Sequence, residues 1–202
     1  MGKPYRPKDH FYHKAKQEGF RARSAFKLEE IVHRFGILKK GGTVIDLGAA
    51  PGGFLQVIAE AVGTSGRVVG VDIVPIRPFS QGYVTTAVLD VLADDFPDQL
   101  AALHPGPYDT VISDLAPKTS GIRQTDEARS LRLAGIALDM SLQRGRPGSH
   151  FVAKLFMGGD FEAFRATVRT HFEDTKIVRP EATRGASVEV YVMGLRLKGP
   201  IA

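Results

Sequence analysis

Apolar and polar positions alternate along the chain with two periods, one typical of strands and one typical of helices. Short runs rich in β-branched residues predict seven strands, at residues 43–47, 67–72, 83–89, 108–114, 149–156, 175–178 and 187–196. Helical spacing predicts helices at residues 24–35, 54–62, 97–103, 126–143 and 161–171, with Ser24 as a candidate N-cap of the first. Strand and helix alternate until the last two strands, which no helical pattern separates.

This order predicts an α/β fold with a mostly parallel, seven-stranded sheet and helices on both faces. Because the last two strands follow each other too closely for a helical crossover, one of them is expected to run antiparallel. Ligands bind such sheets at the carboxyl ends of the strands. Asp72, Asp90 and Asp114 lie at or just beyond those ends, so the ligand-binding edge is predicted there.

The composition is that of one globular domain: 202 residues, of which 43% are hydrophobic and 24% are charged. The absence of cysteine excludes disulfides and thiolate zinc sites, and it fits a reducing compartment. No apolar run approaches the ~20 residues that span a bilayer, and the N-terminus lacks the apolar stretch of a secretory signal. A cytoplasmic protein is expected. The six histidines show no ligand spacing, so no metal site is expected.

Positive charge is concentrated at the N-terminus of a chain whose net charge is +5. Aromatic residues are interleaved with these cations, and cations with stacking rings are the ingredients of RNA binding. We therefore predict a basic, flexible RNA-binding extension at residues 1–23, ahead of a single domain at residues 24–202. The alternative is an ordinary solvated terminus. The cations are Lys3, Arg6, Lys8, Lys14, Lys16, Arg21, Arg23 and Lys27.

The segment "TVIDLGAAPGGF" is a buried strand that runs into a glycine-rich turn and a helix, which is how α/β proteins hold nucleotides. Ala50 replaces the glycine of a dinucleotide fingerprint, and the Lys-Ser/Thr of a phosphate-binding loop is absent. S-adenosylmethionine is the ligand we favour, with its carboxylate near the helix N-terminus. Gly48 and Gly52 would let it approach the backbone. A nicotinamide cofactor, or a tight turn without a ligand, remains an alternative.

The strand-end acids fit the same ligand. Asp72 is placed to accept hydrogen bonds from ribose hydroxyls, and Asp90 is placed near an adenine amino group.

Three charged residues interrupt predicted strands: Asp114 in "VISDLAP", Lys154 in "HFVAKLF" and Glu189 in "SVEVYV". An unpaired charge inside a buried strand is costly, so such residues are candidates for catalysis. For each one the structural alternative is a snorkelling side chain or the solvent face of an edge strand.

Taken together, these motifs resemble the RrmJ/FtsJ family of ribose 2′-O-methyltransferases, over residues from about Phe20 to Lys198. "RARSAFKLEEI" resembles the family's opening helix, "VIDLGAAPGGF" its cofactor loop and "VISDLAPKTSG" its central aspartate motif. "FVAKLF" and "SVEVYVMG" resemble its second lysine strand and its glutamate strand. The resemblance implies a Rossmann-like methyltransferase fold and a catalytic tetrad. The tetrad residues would be Lys27, Asp114, Lys154 and Glu189.

The resemblance also implies which residues bind the cofactor, and it shows two departures. Phe54 stands where the bacterial rRNA enzymes carry Trp, and Lys118 stands in place of an Asn. Phe54 preserves an aromatic ring, whereas Lys118 adds a positive charge near the site. The expected S-adenosylmethionine-binding residues are Gly48, Pro51, Gly52, Gly53, Phe54, Asp72, Asp90 and Asp114.

The implied reaction is methyl transfer to a ribose 2′-hydroxyl, with S-adenosylhomocysteine as the product. Lys154 would act as the base, or as a charged group that orients the hydroxyl and stabilises developing negative charge. Asp114 would hold Lys154, while Lys27 and Glu189 would position lysine and ribose.

The implied substrate is a uridine of 23S rRNA in the assembled 50S subunit, and the enzyme is expected to be a monomer. The alternatives are a methyltransferase of tRNA or another RNA, a non-catalytic RNA-binding module and a nicotinamide-dependent oxidoreductase.

Overall fold

A central sheet organises the protein, and the computed structural model describes residues 10–184 and 187–199. Over these residues the seven strands are β1 Thr43–Leu47, β2 Arg67–Asp72, β3 Val84–Val88, β4 Tyr108–Ser113, β5 Gly145–Phe156, β6 Phe172–Val178 and β7 Glu189–Leu197. Their order across the sheet is β3-β2-β1-β4-β5-β7-β6. Among the strands described, β7 alone runs opposite to the other six. The predicted α/β fold with one antiparallel strand is confirmed.

Helices cover both faces of this sheet. In the described residues they are α1 His10–Gln17, α2 Ala25–Phe35, α3 Gly53–Val62, α4 Phe96–Leu103, α5 Arg123–Arg144 and α6 Phe161–His171. Successive strand residues point to opposite faces. In β1, Ile45 and Leu47 therefore join the core under α4, α5 and α6, whereas Val44 joins the core under α2 and α3.

Several element boundaries differ from the prediction. β5 begins at Gly145 because that residue pairs with Tyr108, although glycine and proline in this stretch are not typical of a strand. β6 begins at Phe172, directly after α6, because Phe172 pairs with Leu197. Ser24 occupies the predicted N-cap position, but its side chain makes no capping hydrogen bond.

The topology gathers the candidate residues at one edge of the sheet. Gly48 follows β1, Asp72 ends β2 and Asp114 follows β4, so all three lie at the carboxyl edge of the parallel strands. Because β7 runs in the opposite direction, its first residue, Glu189, lies at this edge as well. There it pairs with Phe156, the last residue of β5.

The N-terminal segment packs on the domain as far as it is described. Phe11 of α1 and Phe20, which follows this helix, lie 5.8 and 5.4 Å from Phe26 of α2 between ring centroids. Ala15 is buried in the same small cluster. Residues 1–9, which belong to the predicted extension, lie outside the described residues. The division of the chain at residue 23 stays a prediction.

Candidate active site

Four charged side chains from separate elements converge on the sheet face under α2. Lys27 lies in α2, Asp114 follows β4, Lys154 lies in β5 and Glu189 begins β7. Lys154 is directly opposite Tyr191 in the pairing of β5 with β7. The structure thus brings the four predicted residues together as two ion pairs, with Tyr191 between them.

The first pair joins Lys154 to Asp114. The Nζ of Lys154 lies 3.1 Å from Oδ1 of Asp114 and donates a hydrogen bond of 2.7 Å to its main-chain carbonyl oxygen. The Lys154 side chain is only 6% exposed. Because a buried ammonium is costly without partners, these two oxygens are what make the position tolerable. The alternative of a snorkelling lysine at an edge strand is wrong, since β5 lies between β4 and β7.

The second pair joins Lys27 to Glu189 at 3.1 Å between Nζ and Oε2, and the side chain of Lys27 is buried. Burial alone would raise the pKa of Glu189. The charges of Lys27 and Lys154, with hydrogen bonds from Lys27 and Ser187, outweigh burial and lower that pKa below its usual value. Glu189 is therefore held as a carboxylate, a form that accepts hydrogen bonds.

Tyr191 connects the two pairs, and the sequence analysis missed it. Its hydroxyl donates a 2.6 Å hydrogen bond to Oδ1 of Asp114, and the Nζ of Lys27 lies 5.8 Å from its ring centroid. Burial, followed by the charge of Asp114, raises the pKa of Tyr191 well above its usual value, so the hydroxyl stays a donor. A signal was present in the sequence, because Tyr191 follows Glu189 by two residues and shares its strand face.

Asp46 was also missed, and it lies deepest. It sits inside β1 with no exposed surface, and neither carboxyl oxygen has a hydrogen-bond partner among the described residues. Burial raises the pKa of Asp46 well above its usual value, and the nearby charges of Asp114 and Asp72 raise it further, against the effect of Lys154. The neutral acid is therefore favoured. The same cue that singled out Asp114, an acid inside an apolar strand, was available for Asp46.

A cavity of about 590 Å³ opens at the carboxyl edge on the side of α5. Four of the predicted cofactor-binding residues line it, namely Gly48, Asp72, Asp90 and Asp114. Apolar side chains and three cations complete the lining. The apolar residues are Ala50, Ile73, Val74, Leu89, Val91, Leu92, Leu115, Ala116, Pro117 and Leu133, and the cations are Lys118, Arg129 and Arg132.

Two of the carboxylates in this cavity, Asp72 and Asp90, are fixed by backbone N–H groups. Asp72 accepts 2.9 Å hydrogen bonds from the N–H groups of Ala50 and Val74, one on each oxygen. Asp90 accepts one of 2.9 Å from the N–H of Leu92. Each oxygen keeps a further lone pair for a ligand hydroxyl or amino group. Oriented carboxylates beside an apolar slot fit an adenosine, so the residues present fit S-adenosylmethionine.

The glycine loop is shaped by close contacts with other segments. Gly48 has φ 80°, and a Cβ there would lie 2.9 Å from the backbone nitrogen of Leu115. Gly52 has φ 110°, and a Cβ there would lie 2.9 Å from the guanidinium of Arg21. Both positions therefore require glycine.

Pro51, Gly52, Gly53 and Phe54 do not line the cavity. Phe54 is buried in the core under α2 and α3, and Gly53 packs against Ala22. These four residues shape the turn, and a direct role in cofactor binding stays a prediction for each of them.

Two of the N-terminal cations are engaged within the fold. The guanidinium of Arg21 donates hydrogen bonds to the carbonyl oxygens of Arg77 and Pro78, at 2.5 and 2.9 Å, and lies 3.8 Å from the ring centroid of Phe79. Arg23 donates to the carbonyl oxygen of Ala182. Part of the charge that was predicted to bind RNA therefore anchors the segment before α2.

Residues 10–184 and 187–199 contain neither a candidate metal site nor a candidate membrane span. No group of three or more His, Cys, Asp or Glu side chains there is arranged to hold a metal ion. No helix there combines the length and the apolar character needed to cross a membrane.

Comparison with known proteins agrees with the geometry. The model of the FtsJ-like methyltransferase family matches residues 20–197. The chain is 70% identical over 202 residues to "Ribosomal RNA large subunit methyltransferase E" of Myxococcus xanthus, covering all of this chain and 95% of that protein. It is 54% identical to the protein of the same name from Anaeromyxobacter dehalogenans, covering all of this chain and 76% of the relative.

A solved structure shows the same fold. It is described as a ribosomal RNA methyltransferase from Plasmodium falciparum, and it aligns with a TM-score of 0.78 at 21% identity, covering 89% of this chain and all of the other. The nicotinamide-dependent alternative suggested by the glycine loop is not supported by any of these similarities. With the family model matching nearly the whole chain, this protein belongs to the FtsJ-like methyltransferase family and is a methyltransferase.

Proposed function

We propose that the enzyme transfers a methyl group from S-adenosylmethionine to the ribose 2′-hydroxyl of a uridine in 23S rRNA, and that it releases S-adenosylhomocysteine. The observation that carries this proposal is the buried Lys154–Asp114 pair beside a cavity that fits adenosine. The names of the curated relatives, which are rRNA large subunit methyltransferases, support the substrate class.

The cofactor would occupy the cavity at the carboxyl edge. Asp72 would accept hydrogen bonds from the ribose hydroxyls, Asp90 would accept one from the adenine amino group, and Gly48 and Asp114 would line the methionine side. When bound, S-adenosylmethionine supplies an electrophilic methyl group on its sulfonium. The tight packing of Gly48 against Leu115 keeps the backbone wall of the cavity in place.

Lys154 is the group that acts on the hydroxyl of the substrate. An ammonium has three N–H donors, and two oxygens of Asp114 lie within reach of Nζ. One donor is left for the ribose oxygen. Lys154 would hold this oxygen in line with the methyl group and stabilise the negative charge that develops as the hydroxyl proton passes to solvent. The contacts therefore support the orienting role more than the role of a neutral base.

The second ion pair would position the ribose. Glu189 is a carboxylate with a partly exposed side chain, so it can accept a hydrogen bond from the RNA, and Lys27 holds it in place. Tyr191 holds Asp114 from the other side. These contacts hold the side chains of the site in place before the substrate binds.

The RNA would approach the carboxyl edge of the sheet across a cationic surface. Lys118, Arg129 and Arg132 line the cofactor cavity, and Lys16 is exposed on α1. Such cations contact phosphates and make binding depend on salt. We propose the assembled 50S subunit as the preferred substrate, which would place the enzyme in the cytoplasm. A monomer remains our expectation.

The test is transfer of labelled methyl groups to three substrates: large subunits that lack the modification, naked rRNA and bulk tRNA. Label on a ribose in subunits alone is expected. Label in tRNA would move the enzyme to the alternative of tRNA methylation. No label in any RNA, with S-adenosylmethionine bound, would contradict the proposed function.

Lys154→Ala tests the mechanism in the same assay. Methylation is expected to fall by about 10²–10³-fold, the usual cost of removing one donor that stabilises charge in the transition state, while affinity for S-adenosylhomocysteine stays nearly unchanged. Lys176→Ala is the matched control, because Lys176 is exposed on the edge strand β6. Methylation by Lys154→Ala at the level of this control would remove Lys154 from the mechanism.

A further inference from the structure

A second cavity, of about 260 Å³, lies between α5 and the segment that leads from β5 into α6. Glu127, Ala128 and Leu131 of α5 form one wall, and Phe156 and Gly159 contribute to the other. None of the residues that line this cavity belongs to the tetrad or to the cofactor cavity. The space is less than half that of the cofactor cavity, so it suits one planar group better than a whole nucleotide cofactor.

This cavity adjoins the site of methyl transfer. Phe156 follows Lys154 by two residues in β5, which is about 7 Å along a strand, and it pairs with Glu189. Its N–H donates a 3.0 Å hydrogen bond to the hydroxyl of Ser130 in α5, which fixes the end of the strand against the helix. The backbone at the end of β5, two residues beyond Lys154, is therefore fixed as part of the cavity wall.

One helix separates the two cavities. Glu127, Ala128 and Leu131 face the second cavity, whereas Arg129 and Arg132 face the cofactor cavity. At about 100° per residue these two sets occupy neighbouring faces of α5. A substrate that reaches Lys154 beside the cofactor cavity would therefore have its next unit close to the second cavity.

The chemistry of the lining favours a nucleobase over a phosphate. Phe156, Leu131 and Phe161 supply apolar and aromatic surface, while Gln124 and Glu127 supply an amide and a carboxylate. Among the described residues that line the cavity there are two carboxylates, Glu127 and Asp160, and no lysine or arginine, so the lining offers a phosphate no cationic side chain. A base offers a flat face for stacking and N–H donors for the carboxylate.

We propose that this cavity receives an unstacked nucleobase of the RNA, next to the nucleotide whose ribose is methylated. This inference rests on the proposed function and adds a subsite to it. The base would lie against the apolar side chains of the lining, such as Leu131, and donate a hydrogen bond to Glu127, whose other partner is Arg123 at 2.6 Å. Filling the subsite would align the neighbouring ribose with Lys154.

Two variants fill the cavity from opposite walls. Ala128→Trp introduces a ring from α5, where Ala128 is exposed, and Gly159→Leu introduces a side chain at a position where a Cβ meets nothing within 4 Å. Asp139→Trp is the matched control, because Asp139 is exposed on the same helix and outside both cavities. Methylation kinetics would be measured on large subunits that lack the modification, together with thermal melting and the Kd for S-adenosylhomocysteine.

Both filling variants are expected to raise KM for the subunit about tenfold or more, as loss of one stacked base does, with melting temperature and cofactor Kd unchanged. Ultraviolet cross-linking of the wild-type enzyme to subunits is expected to give a nucleotide adduct on the peptide that contains Phe156. If wild-type enzyme methylates subunits while both variants match Asp139→Trp, the subsite is refuted alone. If wild-type enzyme methylates no RNA, the proposed function fails and the subsite fails with it.

Discussion

Replacing Asp46 by asparagine should change how stability depends on pH. Asp46 is fully buried, and neither of its carboxyl oxygens has a hydrogen-bond partner in the described residues. An unfolded aspartate has a pKa of about 3.9, whereas burial and the charges of Asp114 and Asp72 raise the pKa of the folded residue well above that. Between the two pKa values, the folded protein holds a proton that the unfolded chain has released.

The magnitude follows from that single proton. Below the unfolded pKa both states are protonated and Asp46 stabilises the fold fully. As pH rises towards the folded pKa, the free energy of unfolding falls by up to about 1.4 kcal/mol per pH unit through this residue. The amide introduced by Asp46→Asn cannot titrate, so the variant lacks this loss. Its stability relative to wild type should therefore increase with pH.

Urea unfolding of wild type and Asp46→Asn between about pH 5 and 8 measures this difference, within the range where the unfolded aspartate is ionised. The buried amide of the variant adds a constant penalty for its own unpaired donors, so the slope against pH is the informative quantity. Other carboxylates titrate equally in both proteins and cancel. Asp139→Asn, the same substitution at an exposed position, is measured beside it as the matched control. A pH-independent difference for Asp46→Asn would refute the assignment of a neutral acid.

Two further predictions concern the contacts around the tetrad. Tyr191→Phe removes the 2.6 Å hydrogen bond to Asp114 and should lower the free energy of unfolding in urea by about 1.5–3 kcal/mol. An unchanged midpoint of urea unfolding would show that this hydrogen bond is not stabilising. Lys27→Met and Glu189→Gln should each lower the free energy of unfolding by about 2–4 kcal/mol, because each leaves one partner of the ion pair unpaired. The double variant should lose less than the sum of the two single losses. Strict additivity would contradict the pairing.

Local patterning determined most of the secondary structure. β1, β2 and α6 begin and end where the sequence predicts, because apolar periodicity reflects the alternation of side chains within one element. The predicted start of β5 was wrong, since the stretch from Gly145 is a strand through its pairing with β4 and not through its own residues.

The sequence also proposed the four tetrad candidates. Asp114, Lys154 and Glu189 are charges in or beside apolar runs, and Lys27 came from the resemblance to the family. The sequence could not say which of them pair. Asp114 with Lys154, and Lys27 with Glu189, are partners because the order of the strands places β5 between β4 and β7 and lays α2 over that face.

Tertiary structure alone decided the roles of Tyr191 and Asp46 and created the cavity beside Phe156. Tyr191 resembles any aromatic residue of a buried strand until β7 brings its hydroxyl to Asp114. Asp46 becomes a buried acid without a partner among the described residues only when α2, α3 and the neighbouring strands enclose it. The periodicity of a sequence reports which side of an element is covered. Residues distant in the chain decide which atoms cover that side. Those atoms then set the protonation of a buried side chain and the space that is left for a ligand.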